Sequence, residues 1–395
     1  MSRYISKIYG TLDLTPNYIA TGGEGEVWGL QNSNSICVKL YFEKYRTAER
    51  ETKIKYMVQN PPSHITSNNY RIGWPIDLVY ENNKFVGFIM PLAFNGSEQL
   101  VNITIPKVPK RLGPTWEKFN MGNGPTAIIN RLKLMHNIAI TIYQLHATNK
   151  YVIQDFKPQN ILVTNSGNIT VCDLDSIQIS NNNEVLHYGT AQTPGYAPPE
   201  YLIHCNSKKK TSFLITKKWD YFSIAVVFYQ MLFGLHPYTV TPKQLAADGT
   251  NDISQNIIND LFPFGNKTTE IAIYPKLHDR FKIIPQSLRE LFIRAFTINP
   301  NNRPSLEEWG KTLHQIIIEA ENHKSVVINK PVSSSNSNGT TTTSNRTPSS
   351  SNRTSPKPII NKVEETPKDN KIVKIILCII LAILQILFVY FLTNI

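Results

Sequence analysis

Residues 151–160 read YVIQDFKPQN. The first three residues are apolar, Asp155 to Asn160 are largely polar, and a β-branched run, ILVT at 161–164, follows. A polar surface turn ahead of a strand would produce such a pattern. The residue types nevertheless suit chemistry as well as a turn. A carboxylate at Asp155 can accept the proton of an attacking hydroxyl. The Lys157 ammonium can neutralise charge on a transferred phosphoryl group. Asn160, five residues after Asp155, can hold a magnesium ion through its amide oxygen. Beyond the next apolar run, TVCDLDSIQI puts Asp173 thirteen residues after Asn160. Hard divalent cations prefer such a carboxylate, and Asp173 is the candidate main metal ligand.

Working towards the N-terminus, IATGGEGEVWGL at 19–30 sets Gly22, Gly23 and Gly25 between apolar residues. Glycines allow positive φ and let a backbone approach phosphate oxygens closely, although a plain hairpin turn uses them too. The next apolar run, ICVKLY, carries Lys39 in its interior. A lysine in a strand usually snorkels at an edge. The alternative is a cation facing nucleotide phosphates, and such a lysine needs a carboxylate to hold it. In the helical context ERETKIKYM, Glu51 can supply one and Glu49 competes for the role.

The runs VWGLQ, ICVKLYF, IDLVYENN and KFVGFIMPL are β-branched and aromatic and are separated by Asn, Ser and Gly, so they read as strands. Helical periodicity follows at 127–146, 219–233 and 286–296. Strands first and helices later predict an α+β fold in two lobes, a small β-rich one and a larger helical one.

At this point the chain resembles the eukaryotic-like Ser/Thr protein kinases, over roughly residues 10–320. The glycine stretch matches the family's phosphate loop, with Ala20 in place of its first glycine, then Gly22, Gly25 and Val27. Lys39 matches the strand lysine and Glu51 the helix glutamate that pairs with it. Asp155, Lys157 and Asn160 match the catalytic loop, and Asp173 the metal-binding aspartate. GTAQTPGYAPPE is similar to the end of an activation segment, with Thr193 facing substrate and Glu200 closing it. KKWDYFSIAVVFYQMLFGLHPY resembles the buried organising helix, with Asp220 at its start, and NPNNRPSLEEW supplies Arg303, the partner of Glu200. The resemblance implies ATP and Mg2+ as cofactors and protein substrates. Lys157, two residues after Asp155, marks the Ser/Thr-directed branch.

Beyond Ala20, the chain departs from the family pattern at four positions. Ile153 replaces a histidine whose role is packing. Gln154 replaces an arginine that binds an activation-loop phosphate in many relatives. Leu174 and Asp175 follow Asp173 where Phe and Gly are usual, and a side chain at 175 loses glycine's backbone freedom. The DLDS form resembles bacterial-type members. Every group that would touch phosphate, metal or proton is retained, which favours an active enzyme. The alternative is a pseudokinase, a membrane-tethered nucleotide-binding scaffold. A small-molecule kinase of related fold fits less well, because Thr193, Glu200 and Arg303 match a protein-substrate segment.

Composition divides the 395 residues into three zones. Residues 1–322 are globular in character and form the expected kinase domain. Residues 323–371 are rich in Ser, Thr, Asn and Pro and read as a disordered linker. Residues 372–395 read as a transmembrane helix, with an uncharged run from Ile375 to Ile395. At about 1.5 Å per residue that run spans roughly 31 Å, close to a bilayer's hydrocarbon thickness. Lys371 and Lys374 precede it, and the positive-inside bias then puts the kinase domain in the cytoplasm.

The net charge of +12 admits nucleic acid or an anionic membrane as partner. Nine basic residues against three acidic ones between Lys324 and Lys374 carry half of that excess. Anionic lipid is therefore the expected partner of the basic linker, and no nucleic acid is expected. Cys37, Cys172, Cys205 and Cys378 show no C-x-x-C spacing, so neither a zinc site nor a disulfide framework is indicated. The opening MSRYISKIYGTLDL lacks the apolar core of a signal peptide.

Overall fold

In the computed structural model, which describes residues 3–182, 184–206, 215–245 and 249–328, the chain opens in strands. These are β1 (Tyr4–Ser6), β2 (Gly10–Leu12), β3 (Leu14–Thr21), β4 (Gly25–Leu30) and β5 (Ser33–Tyr41). Helix α1 (Ala48–Gln59) follows, then β6 (Tyr70–Ile72), β7 (Asp77–Glu81) and β8 (Lys84–Pro91). Seven of these strands form one antiparallel sheet in the order β2-β1-β7-β8-β5-β4-β3. The four strand runs read from the sequence lie in β4, β5, β7 and β8. β1, β2 and β3 were not read from it. The β1–β2 hairpin is held by Asp77, a buried carboxylate that accepts from Ser6 Oγ and from the backbone N–H of Ile8 at 2.8 Å.

Strand alternation explains how β5 carries a lysine inside an apolar run. Side chains along a strand point alternately to opposite faces. Val38 and Leu40 join a small cluster with Leu12, Val79, Val86 and Ile89 on one face of the sheet. Cys37 and Tyr41 join the main core on the other. Lys39 shares their face and therefore points inward, opposite Val27 of β4 and Phe88 of β8.

The helical part begins after β9 (Glu98–Gln99) with α2 (Pro125–His146). A series of short strands then carries the chain through β10 (Tyr151–Val152), β11 (Ile161–Val163), β12 (Ile169–Val171), β13 (Gln178–Asn181) and β14 (Glu184–His187). Strand β12 pairs in parallel with β6, and Gly73 N–H donates to Val171 O at 2.7 Å. That joint fixes the chain directly ahead of Cys172 and Asp173. Helices α3 (Pro199–Asn206), α4 (Lys217–Phe233), α5 (Ile253–Ile258), α6 (Gln286–Ala295) and α7 (Leu306–Ile328) complete the described fold.

Helix α4 buries all but Lys217, Lys218 and Gln230. A helix apolar on every side sits inside a core, so its one buried acid, Asp220, needs a structural reason. The expected helices at 127–146, 219–233 and 286–296 fall on α2, α4 and α6. Residues Met1–Ala320 form one compact unit. Helix α7 runs on to Ile328, past His323 where the linker was expected to begin. The rest of that linker and the expected transmembrane segment at 372–395 lie outside the described residues. Among the described residues no helix is long and apolar enough to cross a membrane.

Candidate active site

The loop between β10 and β11 is organised by Asp220. Its fully buried carboxylate accepts from the backbone N–H of Ile153 at 2.7 Å and of Gln154 at 2.9 Å. It also meets His146 Nε2 at 2.8 Å. Gln154 sits at φ 67°, a left-handed conformation that a non-glycine residue keeps only when its surroundings enforce it. The paired N–H groups held by Asp220 are that enforcement. Ile153 is buried in the core, so an apolar side chain does fill the packing position.

One residue further on, Asp155 is buried and engaged on both oxygens. Lys157 Nζ donates to Oδ2 at 2.6 Å and Thr193 Oγ1 donates to Oδ1 at 2.7 Å. Lys157 Nζ also reaches Thr193 Oγ1 at 2.9 Å, closing a triangle across 38 residues of chain. The geometry brings a carboxylate, an ammonium and a hydroxyl into one hydrogen-bonded group. A second hydroxyl entering there would meet a proton acceptor and a cation together.

Asn160 ends the short 3-10 turn Pro158–Asn160. Its Nδ2 donates to the Asp155 carbonyl at 3.0 Å, so its Oδ1 is the face left to accept or to ligate. Cys172 N–H donates to Asn160 O at 2.8 Å, bringing Asp173 alongside. Asp173 is left-handed at φ 59°, another strained non-glycine position. Its side chain is 45% exposed and Oδ1 takes the Lys39 ammonium at 2.8 Å. Two oxygen donors, Asn160 and Asp173, suit magnesium, which usually keeps waters and takes phosphate oxygens for its remaining positions.

The glycine turn lies between β3 and β4, with Ala20 opposite Val27. Gly22 N–H donates to Gly25 O at 2.9 Å, and Gly22 and Gly23 are exposed at the tip. A Cβ on Gly25 would lie 2.2 Å from Leu40 O, so the close approach of β4 to β5 requires glycine there.

The partner of Lys39 differs from expectation. Its ion pairs are with Asp173 at 2.8 Å and Asp175 at 2.7 Å, not with Glu51. Glu51 accepts instead from Tyr80 Oη of β7 at 2.9 Å, and Glu49 is exposed. The reason is the rotation of α1. Its core-facing positions are Arg50, Lys53, Ile54 and Met57, and one step along a helix turns Glu51 about 100° from Arg50. Arg50 forms a bidentate pair with Glu24 of the glycine turn, at 2.6 and 3.0 Å. Burial alone would lower the Lys39 pKa, but Asp175 and Asp173 outweigh it and hold the value above normal. Burial pushes Lys53, also on the inner face, down to about 8.

Nor is Asp175 strained, as a side chain in a glycine position would be. The left-handed residue is Asp173, and Asp175 lies in the ordinary 3-10 turn Leu174–Ser176. Leu174 is buried in the core. Further along, Arg303 holds Glu200 through two bonds of 2.7 Å and donates to Lys218 O at 3.1 Å. Gln154 lies against the activation segment: a Cβ on Gly189 would fall 1.8 Å from Gln154 Oε1. A cavity of about 670 Å³ opens beside it, lined by Gln154, Thr190, Gln192, Tyr201 and Gln255 among others.

Residues 118–314 match the family described as protein kinase domain. The match covers Asp155, Lys157, Asn160, Asp173, Thr193, Glu200, Asp220 and Arg303, and begins after the glycine turn and Lys39. The chain is 32% identical over 131 residues to citron rho-interacting kinase of Rattus norvegicus, covering 31% of this chain and 6% of that one. It is 27% identical over 196 residues to dual specificity protein kinase shkA of Dictyostelium discoideum, covering 49% and 32%. It is 32% identical over 132 residues to serine/threonine-protein kinase PrkC of Bacillus subtilis, covering 32% and 18%. The chain thus spans under a third of the length of each of these relatives. It carries a protein kinase domain whose relatives include Ser/Thr kinases, a domain type that generally uses ATP and Mg2+.

Proposed function

We propose that this chain is a Ser/Thr protein kinase that transfers the γ-phosphate of ATP to hydroxyls of protein substrates. The observation that carries this reading is the Asp155–Lys157–Thr193 group next to Asn160 and Asp173. In it, Asp155 takes the proton of the substrate hydroxyl as that oxygen bonds to the γ-phosphorus. The bond to the β–γ bridging oxygen breaks, leaving ADP and a phosphorylated side chain. Lys157 holds Asp155 in place and faces the charge on the transferred group. Thr193 occupies Asp155 and Lys157 until a substrate hydroxyl replaces it. Asn160 Oδ1 and Asp173 would hold magnesium, which neutralises charge on the phosphate oxygens when bound. Lys39 and the glycine turn would receive the nucleotide's phosphates.

The apolar run at 375–395, with Lys371 and Lys374 before it, supports a membrane anchor with the kinase domain on the cytoplasmic side. The basic linker would add contacts to anionic lipid. One observation favours a second reading, a nucleotide-binding scaffold without turnover: the Lys39–Asp173 pair occupies the carboxylate that the metal needs.

A phosphotransfer assay with labelled ATP, Mg2+ and a generic basic protein tests the reading. Wild type should label Ser or Thr, and Asp155→Asn should fold normally and lose about 10²–10⁴-fold in rate. Nucleotide binding with no transfer above the Asp155→Asn level would leave the scaffold reading standing. Loss of residues 375–395 should release an active protein from membranes, and its continued sedimentation with them after a high-salt wash would refute the anchor.

A further inference from the structure

Lys39 is nearly enclosed, with 9% of its side chain exposed, and a buried ammonium needs a lasting counter-charge. Helix α1 cannot provide it. The charged residues on its inner face, Arg50 and Lys53, are both basic, and its acids turn elsewhere. Asp173 touches Lys39 but is 45% exposed, and it is the carboxylate that a metal would draw away. Asp175 is different. Its side chain is 2% exposed, and its two oxygens are divided between Lys39 Nζ and Tyr41 Oη, each at 2.7 Å. The Arg50 guanidinium stands 3.9 Å from Oδ2 and 4.6 Å from the centre of the Tyr41 ring.

We propose that Asp175 is the positioning residue for Lys39, doing from the turn after Asp173 what a helix glutamate does from α1 in other protein kinases. This rests on the kinase reading above. Lys39 is then free to leave Asp173 for phosphate without losing its anchor. The lysine anchor and the metal carboxylate lie two residues apart on one turn, tied by Ser176 Oγ donating to Asp173 O at 3.1 Å. In kinases that pair the lysine with a helix glutamate, both that ion pair and the metal aspartate must be in place, and helix position controls the first. Here displacement of α1 leaves the Lys39–Asp175 bond intact. What α1 holds instead is the glycine turn, through the Arg50–Glu24 pair. Movement of α1 therefore acts on the loop that covers phosphate, not on the lysine.

The test uses the full chain, without nucleotide and then with it. Without nucleotide, acylation of Lys39 by an amine-directed reagent is followed by mass spectrometry. Asp175→Asn releases the ammonium from its buried partner and should speed Lys39 acylation about tenfold. Glu51→Gln should leave the rate within twofold. Alkylation of Cys37, buried two residues away on the same face of β5, reports whether the region has merely loosened, and should not change. With the β,γ-imido analogue of ATP and Mg2+, Asp175→Asn should weaken binding at least tenfold, and no further when Lys39→Met is already present. Faster Lys39 acylation in Glu51→Gln but not in Asp175→Asn would overturn the proposal. So would Lys39 and Cys37 becoming reactive together, or full additivity with Lys39→Met. If wild type binds no analogue, the kinase reading falls, and the acylation rates still decide whether Asp175 or Glu51 holds the lysine.

Discussion

Replacing Asp220 with alanine removes one carboxylate and strands three donors: Ile153 N–H, Gln154 N–H and His146 Nε2–H. Asp220 is fully buried, so water replaces these bonds only if it enters the space left behind. Each bond to a charged acceptor contributes about 1.5–3 kcal/mol. Taking the lower figure for all three gives a loss of about 4–5 kcal/mol. Asparagine should be milder, near 2 kcal/mol, because its amide oxygen still accepts from the backbone. With that oxygen in the place of Oδ2 it accepts from Ile153 N–H and His146 Nε2–H, and the cost comes from Gln154 N–H, a donor that would face the amide NH2 where Oδ1 had been. Urea unfolding followed by tryptophan fluorescence measures both, as a fall in midpoint at constant slope. Turnover should fall with stability in both variants, because Gln154 is released from φ 67° and Asp155 follows it directly. A midpoint for Asp220→Ala equivalent to less than 1 kcal/mol would refute the assignment of Asp220 as the loop's anchor.

Three further outcomes follow from the same geometry. His236 Nε2 donates to Gly195 O at 2.7 Å while Nδ1 accepts from Tyr238 N–H, an arrangement open only to the neutral ring. Burial lowers its pKa to about 4, so the unfolded chain binds the proton first as pH falls. Stability from this group is complete above about 6.5 and is lost towards pH 4; His236→Gln should flatten that part of a pH–stability curve relative to wild type. Arg303→Ala leaves Glu200 without its bidentate partner, and since Glu200 is 28% exposed the loss should be about 2–4 kcal/mol by urea midpoint, against 3–5 for a fully buried pair. Gln154 cannot grip a phosphate as arginine does, and Thr190 N–H already bonds Ser176 O at 2.9 Å. Phosphatase treatment should therefore leave initial phosphotransfer rates unchanged, and a tenfold fall reversed by preincubation with ATP would refute this.

The sequence by itself determined whatever lies close along the chain. Asp155, Lys157 and Asn160 sit within six residues, and covalent spacing sets how far apart they can be. The apolar run ICVKLY put Lys39 inside a strand, and helical periodicity located α2, α4 and α6. Tertiary structure decided which face each element turns to its neighbours. Helix α1 carries Glu49, Arg50, Glu51 and Lys53 in close succession with few apolar residues, so its weak apolar stripe does not announce which charge points inward. Only packing of Ile54 and Met57 into the core selects Arg50 over Glu51. The partners of Lys39 lie 134 and 136 residues away, and the hydroxyl on Asp155 lies 38 away. Chain spacing constrains none of those distances. They exist because a buried charge must find an opposite one, and the fold brings Asp175 to Lys39 while turning Glu51 towards Tyr80.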